Sequence, residues 1–201
     1  MQLSAEVVVP AVSQPKIGPN ALTPTVRALS EMCSEAQGAA ILRQCGQEYL
    51  LHEPVTKMVD EQAFADLVAT LTGQLGLAQA QHVLWRSGHL TAMYLPRHRI
   101  PRAFQWLLKP LPPRLGLRLL LAAISRHAWT FVGSGSFDYN VGRSSQLTVT
   151  TSIRPVEAVC RFYGGTFAHL IRVLINDRAQ LETTVSSQEG QPCCIYTILE
   201  S

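Results

Sequence analysis

The feature that most constrains this chain is a change of hydrophobic period near Gly135. Before it, apolar residues recur at three- and four-residue spacing in segments cut by Pro and Gly, the pattern of amphipathic helices. Val26, Leu29, Met32 and Cys33 share one helical face, with Thr23 expected as the N-cap and Pro24 in the first turn. A second helix is expected over 34–45, stopped by Gly46, and a third opens at Asp60 and closes between Gly73 and Gly76. Residues 77–95 read as one long helix weakened by Gly88. The prolines at 96, 101, 110, 112 and 113 then divide the chain into a short helix, 102–109, and a strongly apolar one, 113–127. After Gly135 the residues alternate and are β-branched, predicting strands at 137–141 and 146–153 around a Gly142-Arg143 turn. A helix is expected over 160–175 despite Gly164-Gly165, then two strands, 180–186 and 193–199. Helices, hairpin, helix, hairpin is the order of an α+β domain with a small antiparallel sheet.

A hydrophobic fraction of 47% against 15% charge is enough to bury a large core and to line an apolar cavity, and it excludes a disordered chain. The 201 residues suit one domain, residues 20–201, with residues 1–19 as an N-terminal arm carrying one short strand. The most apolar run, Leu115–Ile124, is short and carries Arg118, so no membrane span is expected. The N-terminus has Glu6 and no basic region, which argues against a secretory signal. Five cysteines in such a chain point to a reduced, cytoplasmic setting rather than a disulfide framework.

The net charge of +3 is modest, but its distribution is uneven. Between Asp66 and Asp138 there is no acidic residue, while Arg86, Arg97, Arg99, Arg102, Lys109, Arg114, Arg118 and Arg126 all fall there. A one-sign block of this length suits either solvated helix faces or an anionic partner: a carboxylate ligand, a phosphate or an acidic membrane surface. Nucleic acid is disfavoured, because neither aromatic interleaving in a strand nor a reading motif is present.

Three stretches carry candidate chemistry. His82, Trp85, His89 and Met93 fall on one helical face. The two histidines stand about 10.5 Å apart along the axis and cannot share a metal. One imidazole could be the single axial ligand of a metallated tetrapyrrole with Trp85 stacking, or the stripe could simply face a neighbouring helix. Next, Pro96 and Pro101 predict an extended excursion in which Tyr94, Arg97, His98, Arg99 and Arg102 crowd together, a clamp for ligand carboxylates or a basic surface loop. Last, Ile124–Phe137 (ISRHAWTFVGSGSF) brings Arg126, His127, Trp129 and Phe131 beside Gly133-Ser-Gly135. It reads as pocket lining in which the glycines allow close backbone approach, or as a helix end with core aromatics. The glycines are no dinucleotide fingerprint and no P-loop occurs, so a nicotinamide or nucleotide site is not visible in the residues. Among the cysteines no C-x-x-C pair exists, and buried structural thiols are the default.

Cys160-Arg-Phe-Tyr163, Leu181–Gly190 and Gln-Pro-Cys-Cys-Ile-Tyr196 together resemble the closing motif of the vinyl-4-reductase small-molecule-binding domain family, with Glu182, Gly190, Cys194 and Tyr196 in register. Residues 99–137 are similar to the J-protein branch of that family, which belongs to bacteriochlorophyll biosynthesis and is associated with divinyl-chlorophyllide vinyl reduction. The resemblance implies an α+β fold related to haem–nitric-oxide-binding and vesicle-tethering domains, dimeric, with a cavity between helices and sheet. It also implies a zinc held by cysteines and a glutamate. Here Cys160, Glu182 and Cys194 remain, while the cysteine expected near 185 is Val185 or Ser186. The family's name implies a reductase, yet vinyl reduction needs an electron or hydride donor that these residues do not announce. The expectation is therefore a magnesium-tetrapyrrole ligand, no required cofactor, and a carrier or accessory role beside bacteriochlorophyll-synthesis enzymes, in the cytoplasm or peripheral to the photosynthetic membrane. Its ligand-binding residues would be His82, Trp85, His89, Tyr94, Arg97, His98, Arg126, His127, Trp129 and Phe131. A vinyl reductase and a ligand-sensing module are the alternatives.

Overall fold

A computed structural model describes residues 15–199, so most of the expected arm, 1–14, lies outside the described residues. β1 (Lys16–Ile17), within the described part of that arm, pairs antiparallel with β2 (Val59–Asp60) and buries Ile17. Between them lie α1 (Thr23–Met32) and α2 (Glu35–Gln44). α3 (Glu61–Leu75) and α4 (Leu77–His98) follow, then the short α5 (Arg102–Leu108) and α6 (Pro113–Arg126). Asp60 caps α3 by accepting the Gln62 N–H at 2.9 Å, and Ser34 caps α2. Thr23 does not cap α1. That helix begins after Leu22 without a side-chain cap, and the Thr23 hydroxyl is buried without a partner.

The sheet follows as expected, in the order β3-β4-β6-β5 with every pair antiparallel. β3 (Phe137–Asn140) pairs with β4 (Ser145–Thr150), α7 (Val156–Leu174) crosses over, and β5 (Gln180–Gln188) and β6 (Gln191–Leu199) close the chain. Alternation sets one face inward. Phe137, Leu147, Val149, Cys194, Tyr196 and Ile198 are buried there, and α7 packs against that side of the sheet. The Tyr196 hydroxyl donates to the Cys160 carbonyl at 2.7 Å. Burial pushes this phenol well above its ordinary pKa.

α4 lies on the other side of α7, and theirs is the most extensive contact between two helices; α1 and α3 pack against α4 in turn. The glycines that weaken both helices as isolated segments are what allow this contact. A Cβ at Gly88 would collide with the Phe162 carbonyl of α7, and one at Gly165 with the Trp85 carbonyl of α4. The Thr166 hydroxyl crosses the same seam to the Gly88 carbonyl at 3.2 Å. Side chains are absent where the two backbones must meet.

The cysteines differ from expectation. Cys160 of α7 and Cys194 of β6 are joined in a disulfide with Cα atoms 5.5 Å apart, leaving Cys33, Cys45 and Cys193 free. Two residues far apart in sequence meet because α7 lies on β6, which cysteine spacing alone does not disclose.

Candidate functional site

At the solvent edge of the α4–α7 seam three rings gather. Trp85 and His89, one turn apart on α4, stack with ring centroids 5.7 Å apart. The His169 ring of α7 meets His89 edge-on at 4.3 Å. Trp85 remains 40% exposed, so a flat apolar ligand has indole surface to cover. Burial holds the His89 imidazole below its ordinary pKa, helped by His169 and by the nearby Arg86 and Arg172 cations. For His169 burial acts first and Arg172 second. Both rings are thereby biased toward the neutral form, in which an imidazole nitrogen can ligate a metal. Arg86 is fixed by Glu31 at 2.7 Å, and Glu31 also pairs with Arg27 at 3.0 Å. The Arg172 Nε donates to the Ala179 carbonyl at 3.0 Å.

His169 was not among the residues expected. Its partner stands on another helix, so no local spacing reveals the pair. The available signal is a polar residue one turn beyond Gly165, on a helix otherwise buried almost throughout. The expected stripe is otherwise divided: His82 is exposed and Met93 is half-buried against the core.

The Tyr94–Arg102 stretch is not an extended excursion. α4 continues through Pro96 to His98, because a proline this near a helix end removes one hydrogen bond from a turn that is already closing. The Arg99 and Ile100 N–H groups both donate to Leu95, and the Gln105 side chain donates to the Pro96 and Ile100 carbonyls. Tyr94 and His98 stack at 4.2 Å, and Arg97 occupies the last turn, where a cation favours the helix dipole. Arg97, Arg99 and Arg102 are exposed, and a convergent clamp does not form.

The Ile124–Phe137 stretch is likewise divided. Arg126, His127 and Trp129 are exposed, Trp129 at 63%. Phe131 instead joins an aromatic cluster with Phe137, Tyr163 and Phe167. Gly133 makes room for a buried carboxylate, and Gly135 for the Thr150 carbonyl. Glu61, at the start of α3, accepts the Ser134 N–H at 2.9 Å and the Ser152 hydroxyl at 3.0 Å, with Gly133 at φ +58° against it. Tyr163 lies close by, donating to the Phe131 carbonyl at 3.1 Å. Burial first and Glu61 second raise its pKa. This turn is a structural knot rather than a pocket wall.

The volume expected to be a cavity between helices and sheet holds this cluster, extended by Phe162 and Tyr196. Two open depressions lie elsewhere. One of about 620 Å³ lies beside Ala69, Gly73 and Arg154–Glu157, and one of about 390 Å³ beside Lys109, Pro113 and Arg172–Asp177. Cys160 and Cys194 form the disulfide, while Glu182 is exposed on β5 opposite Thr197, three positions along from the Val185–Cys194 pair. Of the three expected zinc residues, Cys160 and Cys194 are thus brought together, but as a disulfide, while Glu182 stands apart from them. Among the described residues no group of three or more His, Cys, Asp or Glu could hold a metal. No helix among them is long and apolar enough to cross a membrane.

Comparison with known proteins agrees with this architecture. No family model matches the chain. Solved H-NOX structures share the fold. One from work on haem distortion has a TM-score of 0.60 at 8% identity, covering 90% of this chain and 94% of that one. The unliganded Fe(II) H-NOX protein from K. algicida has a TM-score of 0.58 at 12% identity, covering 92% and 98%. Among curated proteins, a bacteriochlorophyll synthase 23 kDa chain from Cereibacter sphaeroides is 31% identical over 128 residues, 60% of this chain and 61% of that protein. The protein of the same name from Rhodobacter capsulatus is 32% identical over 198 residues, 95% of this chain and 91% of that protein. These similarities bear out the resemblance first seen in residues 99–137, and the chain belongs to the bacteriochlorophyll synthase 23 kDa chain family.

Proposed function

We propose that this protein serves bacteriochlorophyll biosynthesis by binding a late magnesium-tetrapyrrole intermediate on the α4–α7 seam and delivering it to an enzyme. The reading rests on one observation: two imidazoles biased toward neutrality, His89 and His169, beside the exposed indole of Trp85. Magnesium in a macrocycle takes an axial nitrogen, which a neutral imidazole supplies. The indole face covers apolar ring, and Arg172 offers a cation to a carboxylate on the ligand's edge. The names of the 23 kDa relatives and the haem-binding H-NOX structures support the same ligand class. An open seam leaves one face of the macrocycle reachable, which suits hand-over better than permanent retention. A homodimer and a contact with a downstream enzyme belong to this reading.

The test is an absorbance titration of divinyl protochlorophyllide into purified protein, before and after NADPH. A saturable red shift that NADPH leaves unchanged, and that weakens in His89→Ala and His169→Ala, is the expected outcome. Conversion to the monovinyl spectrum would favour a vinyl reductase, and an unaltered shift in both variants would remove the ligand from this seam.

A further inference from the structure

We propose that the α5–α6 hairpin is a membrane-surface docking element that seats Trp106 and its neighbouring leucines at the headgroup boundary of an anionic bilayer. Trp106 and Leu107 of α5 are 70% and 53% exposed, and Leu115 and Leu119 of α6 are 46% and 36% exposed. On α6 the exposed face carries Leu115, Arg118, Leu119 and Arg126 at helical spacing, while Gly116, Leu117, Leu120 and Leu121 turn inward. The helices meet where Gly116 faces the Leu108 carbonyl and the Leu111 side chain. The outward apolar residues of the hairpin are therefore in addition to the contacts that hold it.

The charges on the hairpin itself have one sign, with Asp177 at its edge in the depression shared with Lys109 and Pro113. Arg102, Lys109 and Arg118 are exposed and take no part in the ion pairs that Arg27, Arg43 and Arg86 make. No acidic residue occurs from 67 to 137 to repel an anionic surface. Exposed indole, leucines and snorkelling cations form the composition of an interfacial amphipathic element. A protein partner for the same face would have to be acidic to match its cations, and is an outcome of the test. Trp129, 63% exposed just after α6, extends the same surface chemistry along the chain. Such a seat holds the protein on a bilayer without spanning it.

Vesicle flotation of the full chain tests this. Phosphatidylcholine vesicles are compared with vesicles enriched in phosphatidylglycerol, at low and high salt. Binding is expected to the anionic vesicles alone, weakened by salt, with a blue-shifted indole emission that Trp106→Phe diminishes. Trp106→Ser with Leu107→Ser should reduce partitioning on the order of tenfold, and Arg118→Gln about fivefold. Both changes lie on exposed positions, and unchanged thermal melts verify that the variants fold. No binding to anionic vesicles, equal binding to both compositions, or full binding by the double variant would overturn the proposal. Capture of an acidic protein by wild type without vesicle binding would do the same. The assay contains no tetrapyrrole, so its failure and failure of the ligand reading are separate results.

Discussion

Gly88→Ala puts the α4–α7 crossing to a direct test. In an isolated helix the change would stabilise by about 1 kcal/mol, because alanine loses less backbone freedom than glycine. In this protein the new Cβ would lie 2.9 Å from both the Phe162 carbonyl carbon and the Thr166 nitrogen, and closer still to the Phe162 oxygen. These are backbone atoms of a packed helix, so no rotamer change relieves them and the helices must separate. Overpacking costs about 1–3 kcal/mol, and rigid obstructing atoms put this case at the upper end. Subtracting the propensity gain leaves a loss of about 2 kcal/mol, which for a chain of this size lowers Tm by about 4–8 °C. Gly73→Ala is the control: it is helical, and a Cβ there meets nothing within 4 Å. It should raise Tm by about 2–4 °C, the full propensity effect. Circular dichroism melts at matched concentration measure both. If the two variants shift in the same direction by similar amounts, the contact does not constrain the helices and the reasoning fails.

Gly133→Ala should lose about 2 kcal/mol or more in urea denaturation, since the backbone is left-handed there and a Cβ would sit 2.5 Å from the Glu61 carboxyl carbon; an unchanged midpoint would contradict the knot. His89 and His169 have folded-state pKa values below the unfolded value, so protonation favours the unfolded chain. Their contribution is complete above the ordinary imidazole pKa of about 6.5 and is lost as pH falls below it, so wild type should lose more stability between pH 7 and pH 5 than His89→Gln. Equal losses would sink this. Thiol titration of unfolded, unreduced protein should find three reactive cysteines and, after reduction, five. Reduction should also cost about 2–4 kcal/mol of stability, and five thiols before reduction would refute the pairing.

Much of the framework was legible because its signals are local. Asp60 and Ser34 announce helix starts by accepting their own N–H groups, Gly46 and Gly76 sit at helix ends with positive φ, and the alternation in β4 and β6 declares an inward face. What escaped depends on pairs far apart in the chain. Gly88 and Gly165 count against a helix when each is weighed alone and become necessary only when the helices touch. His169 looks like a solitary core histidine until α4 brings His89 to it, and spacing alone leaves Cys160 and Cys194, which the family resemblance placed at one zinc site, as separate thiols until β6 passes beneath α7 and joins them in a disulfide. Residues 124–137 misled for the opposite reason. Rings and glycines in one short stretch suggest a common wall, but a helix end and a turn send Trp129 outward, Phe131 inward and Gly133 onto Glu61.

The glycine crossing carries a consequence for how this chain can vary. The gap between the two imidazoles is fixed by missing methyl groups at Gly88 and Gly165, each within one turn of a ring. The crossing therefore works as a ruler for the rings: any side chain that thickens it lengthens the gap before it melts the domain. If the seam holds the tetrapyrrole as proposed, drift at Gly88 or Gly165 would thus change ligand affinity in a protein that still folds. Substitutions of His82, out of reach of the ruler, would leave both properties as they are.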